Sequence, residues 1–435
     1  MRSVNGRHIK INLFTDMAFL PLATSFVEKS ASGMGLGQKE TTALSLATEE
    51  IFAYLSRNSG TDQEIEIRSV DGKYYIEIIF SCSVRGMDLR LFNITSSVSP
   101  DDQNAIEQMG LLIASRFVDR LNVEKTARGI LLSLFKDKSY PAIQGTPPAV
   151  PASLPEFVIE KPQPDVLKIL CGKILSHYPE RMLPNFFRYP GKLVDMFACG
   201  EYDAAVSLGP QGQIGGGIVW YWASRKTVGF LGPYVFGESP DESMTKALLD
   251  ACISSLGKSP AVALVNLFPI NHLSGEQFEI LGTIDQFDEK GSGSTVTAFF
   301  RQMHEDPGSS SWCHPELETF LREQYERLFL PREIMPVRDQ GETGEPYSVL
   351  SAQFDRAQEK VTLRPILEGK DAGENISDHL KLFRKEEIHN VFFEMDLGKS
   401  WHTHFTPDVL RSGFTPRMVI PYGGDGDRVV FQLVR

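Results

Sequence analysis

The 435-residue sequence lacks several features that would each assign it to a broad class. No apolar run approaches the roughly 18 residues of a membrane-spanning helix, and the first residues do not form a signal-peptide core. There is no basic excess, because the net charge is −12 and the isoelectric point is about 5.4. A protein without a basic excess has little capacity to displace phosphate counterions. These absences predict a soluble protein that binds neither membranes nor nucleic acid.

Cysteine is also scarce. The five cysteines are odd in number, widely spread and without C-x-x-C spacing, at Cys82, Cys171, Cys199, Cys252 and Cys313. This pattern predicts neither a disulfide framework nor a structural zinc site. It is typical of a protein of the reducing cytoplasm.

Proline, in contrast, is concentrated in one place. Residues 139–164 form a proline-rich stretch that predicts a semi-rigid linker, and a weaker break lies at Glu305–Glu316. The length suits two or three domains, and 42% hydrophobic residues are ample for packed cores. We therefore expect domains over 1–138, 165–304 and 314–435.

Two segments of the first block carry a family resemblance. The helix LSLATEEIFAYLSRN (Leu44–Asn58) and the segment QMGLLIASRFVDRL (Gln108–Leu121) resemble the Bergerat-fold ATPase domain of bacterial anti-sigma-factor serine kinases and sensor histidine kinases. The resemblance covers roughly residues 10–136. It implies an α/β sandwich that binds ATP with Mg²⁺.

The nucleotide-binding residues of that family are only partly retained. Glu50 matches the helix carboxylate, but the Mg²⁺-binding Asn is replaced by Tyr54, and a phenol is a poor ligand for Mg²⁺. In the family's D-x-G motif, the Asp reads the adenine amino group. The best alignment places Cys82 at the Asp position and Val84 at the Gly position. A thiol accepts hydrogen bonds poorly, and Val lacks the backbone freedom of Gly. We therefore expect a degenerate site.

Two glycines complete this vestige. Gly110 belongs to the remnant of the family's third box, and Gly129 stands where the family closes its last strand. The helix also has a simpler interpretation, in which its apolar stripe faces a core, Glu50 is solvated and Tyr54 is a packing residue.

The middle block has a clear order of elements. Its periodicity predicts helices over 164–175 and 191–200, strands over 203–209, 215–223 and 227–236, a helix over 242–257, a strand over 261–268 and a helix over 274–282. This order resembles a GNAT-type acyltransferase, a fold that splays two strands to hold the pantetheine of coenzyme A. The resemblance names Tyr234, Phe236, Gly237 and Ser243 as candidates for an acyl-CoA cleft.

The loop GESPDESMT (Gly237–Thr245) stands where this family binds the CoA pyrophosphate. A helix N-terminus favours anions, but Glu238, Asp241 and Glu242 would repel the phosphates. The sequence therefore predicts weak binding of CoA at best.

The last block repeats a related order on a smaller scale. Strands are expected over 347–355, 360–367, 389–398, 416–424 and 427–435, with helices over 376–385 and 406–413. The closing segment GFTPRMVIPYGGDGDRVVFQL (413–433) resembles those of GNAT-like units fused behind anti-sigma-type ATPase domains. We expect a second, partial GNAT-like unit, and hence an α+β and α/β multidomain chain with a Bergerat-like sandwich, one full GNAT-like unit and one partial unit.

Two further clusters receive ordinary interpretations. His402 and His404 would share a face if WHTHF were a strand, but no third metal ligand is near in sequence, so no metal site is expected. Cys313 and His314 lie in a Ser/Gly/Pro loop that does not supply the buried base of a thiol nucleophile.

Three functions remain open from the sequence. The first is a bacterial regulatory protein with a degenerate ATPase-like domain and GNAT-like units that bind a protein partner or a small ligand. The second is a CoA-dependent N-acyltransferase controlled by its N-terminal domain. The third is an anti-sigma-type serine kinase using Mg²⁺ and ATP, with Glu50 as its base. The sequence establishes no cofactor, although ATP or acetyl-CoA would fit one hypothesis each, and it leaves the oligomeric state open.

Overall fold

The computed structural model describes residues 7–58, 62–82, 93–95, 114, 116–126, 129–144, 154–237, 242–269, 273, 277–288, 291–338, 345–355 and 358–434. These residues form a mixed α+β structure with several separate sheets. Its α-helices are α1 (Leu20–Gly33), α2 (Gln38–Asn58), α3 (Pro164–His177), α4 (Pro190–Ala198), α5 (Glu242–Leu256), α6 (Pro315–Arg327), α7 (Ala372–Lys385) and α8 (Thr406–Arg411). Short 3-10 helices lie at Met17–Phe19, Glu180–Met182, Asn185–Arg188 and Ser400–Phe405.

The strands fall into three groups along the chain. The N-terminal group is β1 (His8–Phe14), β2 (Glu64–Asp71), β3 (Tyr75–Cys82), β4 (Arg120–Thr126) and β5 (Gly129–Asp137). The middle group is β6 (Val158–Glu160), β7 (Tyr202–Leu208), β8 (Ile214–Trp222), β9 (Thr227–Val235), β10 (Ala263–Asn266), β11 (Glu279–Phe287) and β12 (Gly293–Gln302). The C-terminal group is β13 (Ser309–Cys313), β14 (Arg332–Pro336), β15 (Val349–Asp355), β16 (Lys360–Leu367), β17 (Asn390–Asp396), β18 (Phe414–Ile420) and β19 (Arg428–Leu433).

The N-terminal unit is a five-stranded antiparallel sheet in the order β1-β2-β3-β5-β4. Alternate residues of β2 are buried, which is the pattern of a strand with one face on a core. The apolar stripes of α1 and α2 cover that face, with Ile51 and Phe52 fully buried among the strand residues.

The middle unit is a seven-stranded mixed sheet in the order β11-β12-β10-β9-β8-β7-β6. Its centre is buried on both faces, because α3 and α4 cover one side and α5 covers the other. This explains why β8 and β9 are continuous apolar runs. All neighbouring strands are antiparallel except β9 and β10, which run parallel and are connected through α5.

The C-terminal unit repeats the second half of this arrangement. Its sheet has the order β15-β16-β17-β19-β18, with β16 and β17 parallel and connected through α7. The order corresponds strand for strand to β8-β9-β10-β12-β11 of the middle unit. The short strands β13 and β14 pair in parallel. In sequence they precede and follow α6, between the strands of the middle and C-terminal sheets.

One sequence-based prediction for the middle unit is wrong. The helix expected over 274–282 is replaced, within the described residues, by β11 from Glu279 onward. Leu281 and Ile284 of β11 join the core of the C-terminal unit, so tertiary contact rather than local periodicity decides the conformation of this segment.

The units share packed surfaces. Asp285 and Gln432 bond to each other across β11 and the C-terminal sheet, and the side chain of Asn390 bonds the backbone of Phe287. The N-terminal unit contacts the middle unit through Lys192, whose ammonium lies 2.6 Å from a carboxylate oxygen of Asp137.

A second N-terminal contact reaches the C-terminal unit. The buried amide of Asn93 donates to the carbonyl of Ser348 and accepts from the N–H of Leu350. Whether the linker separates independently folding domains stays a prediction. Among the described residues, no helix combines the length and apolar character needed to cross a membrane.

Candidate functional site

The helix residues of the expected nucleotide site lie one turn apart on α2. Tyr54 is 5% exposed and belongs to the core of the N-terminal unit. Glu50 is partly exposed. Because the Tyr54 side chain is used for packing, this position offers Mg²⁺ no suitable oxygen ligand.

The adenine-reading position is equally unsuited. Cys82 ends β3 and is buried, and its thiol lies 3.9 Å from the carbonyl oxygen of Ile130. Gly129 begins β5 beside it. Val84 and Gly110 lie outside the described residues. The retained positions that the structure describes therefore do not fit ATP and Mg²⁺.

The two histidines lie on the 3-10 helix Ser400–Phe405 and not on a strand. His402 is buried and its Nδ1 accepts the N–H of Asp396, and burial lowers the pKa of His402 to about 4. His404 is exposed and contacts Glu368 instead. Within the described part of the chain, no group of three or more His, Cys, Asp or Glu side chains is placed to hold a metal ion.

The Cys313-His314 pair has a structural role. Burial raises the pKa of the Cys313 thiol to about 12, and the thiol lies 3.0 Å from the carbonyl of His314. The His314 imidazole caps α6 by accepting the N–H of Glu316. A thiol held neutral in this way is not a nucleophile at physiological pH.

The middle unit contains the splayed strands. Among the described residues, β9 pairs with β10 only from Thr227 to Gly229. A bulge follows on β9, where Gly232 and Pro233 lie opposite the single residue Ile218 of β8. β10 ends at Asn266, so among the described residues the edge of β9 beyond the bulge is not paired with β10, and we call the space beside that edge the gap.

Tyr178 occupies that edge. The N–H of Phe236 donates to Gly215 on the β8 side, so the backbone groups of the preceding residue, Val235, point toward the gap. The Tyr178 hydroxyl donates to the carbonyl of Val235 and accepts from its N–H, both at 2.9 Å. One side chain thereby satisfies the two polar groups that an extended ligand would need.

Asn266 closes the gap at its narrow end. It is fully buried, and its Nδ2 donates to the carbonyl of Gly232 at 3.1 Å. Its Oδ1 accepts the N–H of Phe268, so the amide is held in place from both ends. The bulge carbonyl is therefore also satisfied by the chain itself.

The aromatic candidates for cleft lining are core residues. Tyr234 is 1% exposed, with its ring centroid 5.2 Å from Tyr178 and 5.6 Å from Phe187. Phe236 is 5% exposed and packs 5.1 Å from the ring of His177. Burial raises the pKa of the Tyr234 hydroxyl above its ordinary value. Both rings are therefore part of the core of the middle unit.

The helix end expected to meet the pyrophosphate is partly described. Gly237 precedes residues 238–241, which lie outside the described residues and include Glu238 and Asp241. Glu242 and Ser243 form the first turn of α5, so at least one carboxylate does lie at the helix N-terminus. At the edge of β9, the Tyr178 hydroxyl already occupies the two backbone groups of Val235 that pantetheine would need.

The corresponding helix end of the C-terminal unit is covered by another segment. A Cβ on Gly369 would lie 2.0 Å from the carbonyl carbon of Tyr347, so the two backbones are in direct contact. The N–H of Ser348 also donates to Asp371, the residue before α7. Tyr347 and Ser348 therefore cover the backbone at this end of α7 on the side where they contact it, and an anion cannot bind there.

A large cavity lies at the carboxyl end of β16. It has a volume of about 590 Å³, in the range of small-molecule sites. One wall belongs to β4 of the N-terminal unit and the others to the C-terminal unit. The described lining residues are Asn122, Val123, Glu124, Glu345, Pro365, Ile366, Leu367, Glu368, Lys399, Trp401 and Asp425. Ligands of open sheets with parallel strands commonly bind at carboxyl strand ends.

Asp396 fixes two loops of the cavity wall. Its carboxylate accepts the backbone N–H groups of Gly398, Asp425 and Gly426 at 2.9 to 3.0 Å. Burial alone would raise the pKa of Asp396, but these donors hold it below its ordinary value. The loop after β17, which carries Lys399 and Trp401, is thereby tied to the β18–β19 loop.

The sequence did not reveal this cavity. Its walls come from segments more than 300 residues apart, and no local motif unites them. The available signal was the GGDGD run at Gly423–Asp427, because glycine often marks a place where another backbone approaches closely.

No family model and no curated protein matches the chain. Similar solved structures are acetyltransferases that match about a third of it. A GNAT superfamily phosphinothricin acetyltransferase of Sinorhizobium meliloti, in complex with acetyl-CoA, is 16% identical over 34% of this chain and 88% of its own, with a TM-score of 0.27. An aminoglycoside 6'-acetyltransferase type Ii is 13% identical over 34% and 99%, with a TM-score of 0.28. A GNAT family N-acetyltransferase of Escherichia coli is 18% identical over 28% and 66%, with a TM-score of 0.20. Scores this low do not establish a shared overall fold, and they assign no family.

Proposed function

We propose that this chain is a ligand-binding regulatory protein in which GNAT-like units serve as a scaffold rather than as acyl-CoA enzymes. The observation that carries the proposal is the 590 Å³ cavity, which is walled jointly by the N-terminal sheet and the C-terminal unit. A molecule bound there contacts both units at once. Its binding energy therefore depends on how the two units are arranged, which is the requirement for a regulatory ligand.

The edge of β9 supports the non-enzymatic part of the proposal. Pantetheine could bond Val235 only by displacing the Tyr178 hydroxyl, which already makes two hydrogen bonds there. Pantetheine binding would replace the two hydrogen bonds of the Tyr178 hydroxyl and would not increase the number of hydrogen bonds to Val235. Mg²⁺-dependent phosphoryl transfer is disfavoured for a similar reason, since Tyr54 is committed to the core.

The regulatory output in this proposal is a protein partner of the N-terminal unit. Cavity binding would change the position of β4, which lies at the edge of the N-terminal sheet. The opposite edge of the same sheet is β1, which is mostly exposed, and an exposed strand at a sheet edge is a natural contact surface for another protein.

The proposal is tested by ligand-induced stabilisation of the full-length protein. A metabolite panel that includes acetyl-CoA, CoA, ATP and Mg²⁺ is screened by thermal shift. A cavity ligand at 100 times its Kd stabilises by about 2.7 kcal/mol, and this effect should disappear in Trp401→Leu. The control Trp312→Leu alters a tryptophan that does not line the cavity. Stabilisation by acetyl-CoA at micromolar Kd, unaffected by Trp401→Leu, would instead support an acyltransferase.

A CoA-dependent N-acyltransferase is the second candidate. The strand order of the middle unit favours it, because an antiparallel series is followed by the parallel pair β9 and β10 around α5, as the sequence resemblance implies. Release of free thiol from acetyl-CoA in the presence of amine acceptors measures this activity directly. Turnover that rises in Tyr178→Ala would locate the reaction in the middle unit.

A further inference from the structure

We infer that the ligand of the 590 Å³ cavity is an organic cation, an inference that rests on the proposed function. The described lining includes four carboxylates, at Glu124, Glu345, Glu368 and Asp425, against the single ammonium of Lys399. The Lys399 Nζ lies 3.7 Å from Asp425, so these two charges offset each other and the net charge of the described lining is negative. A cation entering the cavity is attracted, whereas a phosphate or carboxylate ligand is repelled.

The remaining surface of the cavity is suited to an apolar ligand body. Trp401 is half-buried in the wall, and its indole is the best aromatic partner for a cation. Val123 and Ile366 provide aliphatic surface on opposite units. A metal ion would use carboxylates without needing an aromatic wall, so the combination indicates an alkylammonium group on an organic body.

The carboxylates belong to both units. Glu124 is supplied by β4 of the N-terminal sheet, and Glu368 follows β16 of the C-terminal unit. The Glu368 carboxylate also contacts His404, which orients it from outside the cavity. A cation that contacts both Glu124 and Glu368 would link the N-terminal and C-terminal units.

The test compares ligands of one shape and different charge. Calorimetry on the full-length protein uses choline, spermidine and benzyltrimethylammonium, with 3,3-dimethyl-1-butanol as the uncharged isostere of choline. Choline should bind at least about tenfold more tightly than the isostere, a difference of 1.4 kcal/mol. Glu124→Gln and Glu368→Gln should each weaken binding of the cations about threefold or more. Glu318→Gln, an exposed carboxylate on α6, is the matched control and should have no effect.

Each result decides the inference. Equal affinity for choline and its isostere, or no binding of any cation at millimolar concentration, overturns it. An effect of Glu368→Gln without one of Glu124→Gln overturns the claim that both units hold the cation. If a neutral or anionic ligand binds the wild type and its binding is lost in Trp401→Leu, the inference of a cationic ligand is overturned and the proposed function stands. If no class of ligand stabilises the protein, the proposed function itself is overturned. Circular dichroism of each variant confirms that lost binding does not reflect unfolding.

Discussion

Replacing Tyr178 tests whether the acyl-donor edge of the middle unit is closed by the protein itself. Tyr178→Phe keeps the ring against Tyr234, at a centroid distance of 5.2 Å, and removes only the hydroxyl. The N–H and carbonyl of Val235 then lose the partner that satisfies both at 2.9 Å. Leaving such groups unpaired in a half-buried site costs about 1–3 kcal/mol.

The stability change is measured by urea unfolding of the full-length variant. Tyr140→Phe is the control, because its hydroxyl bonds Asp195 at 2.6 Å and lies away from β9. A hydrogen bond to a charged group contributes about 1.5–3 kcal/mol, so both variants should lose stability to a similar extent. Only variants at Tyr178 should change the response to acetyl-CoA.

The functional half of the experiment uses Tyr178→Ala, which removes the ring as well. Wild-type protein should bind acetyl-CoA more weakly than millimolar, and the variant should bind it at least about tenfold more tightly. Micromolar binding by the wild type would refute the argument outright. A stability change below about 0.5 kcal/mol in Tyr178→Phe would show that the hydroxyl does not hold the β9 edge.

Three further predictions concern stability and domain structure. Arg332→Met should cost about 3–5 kcal/mol by urea unfolding, because its fully buried guanidinium pairs with two buried carboxylates, whereas Arg322→Ala on the exposed face of α6 should cost under about 0.5 kcal/mol. Equal losses of stability in the two variants would contradict the argument that burial makes the ion pairs of Arg332 more important than that of Arg322. Burial alone would raise the pKa of Glu394, but neighbouring arginines lower it from 4.5 to about 2, so its stabilisation is complete above pH 4.5 and is lost toward pH 2. Acid titration of stability should show this loss, on the order of 3 kcal/mol, in the wild type and not in a Gln variant. Limited proteolysis should cleave first between Tyr140 and Pro164, and early cleavage within α2 would argue against a linker there.

Most elements were predictable from sequence because their local patterns are strong. The alternation in β2, the continuous apolar runs of β8 and β9 and the stripe of α7 each reflect which faces are covered. One local prediction was wrong, at β11, because that segment takes its conformation from contacts with the C-terminal unit.

The sequence by itself determined which residue types stand at the positions that its family resemblances imply: Tyr54 and Cys82 for a nucleotide site, and a run of acidic residues for the phosphates of CoA. Residue type is readable from the sequence without any structure. The tertiary structure alone decided that Tyr178 closes the edge of β9, and that β4 meets the carboxyl end of β16 around a cavity. Hydrogen-bond satisfaction and shared cavity walls join residues far apart in sequence, so no local pattern encodes them.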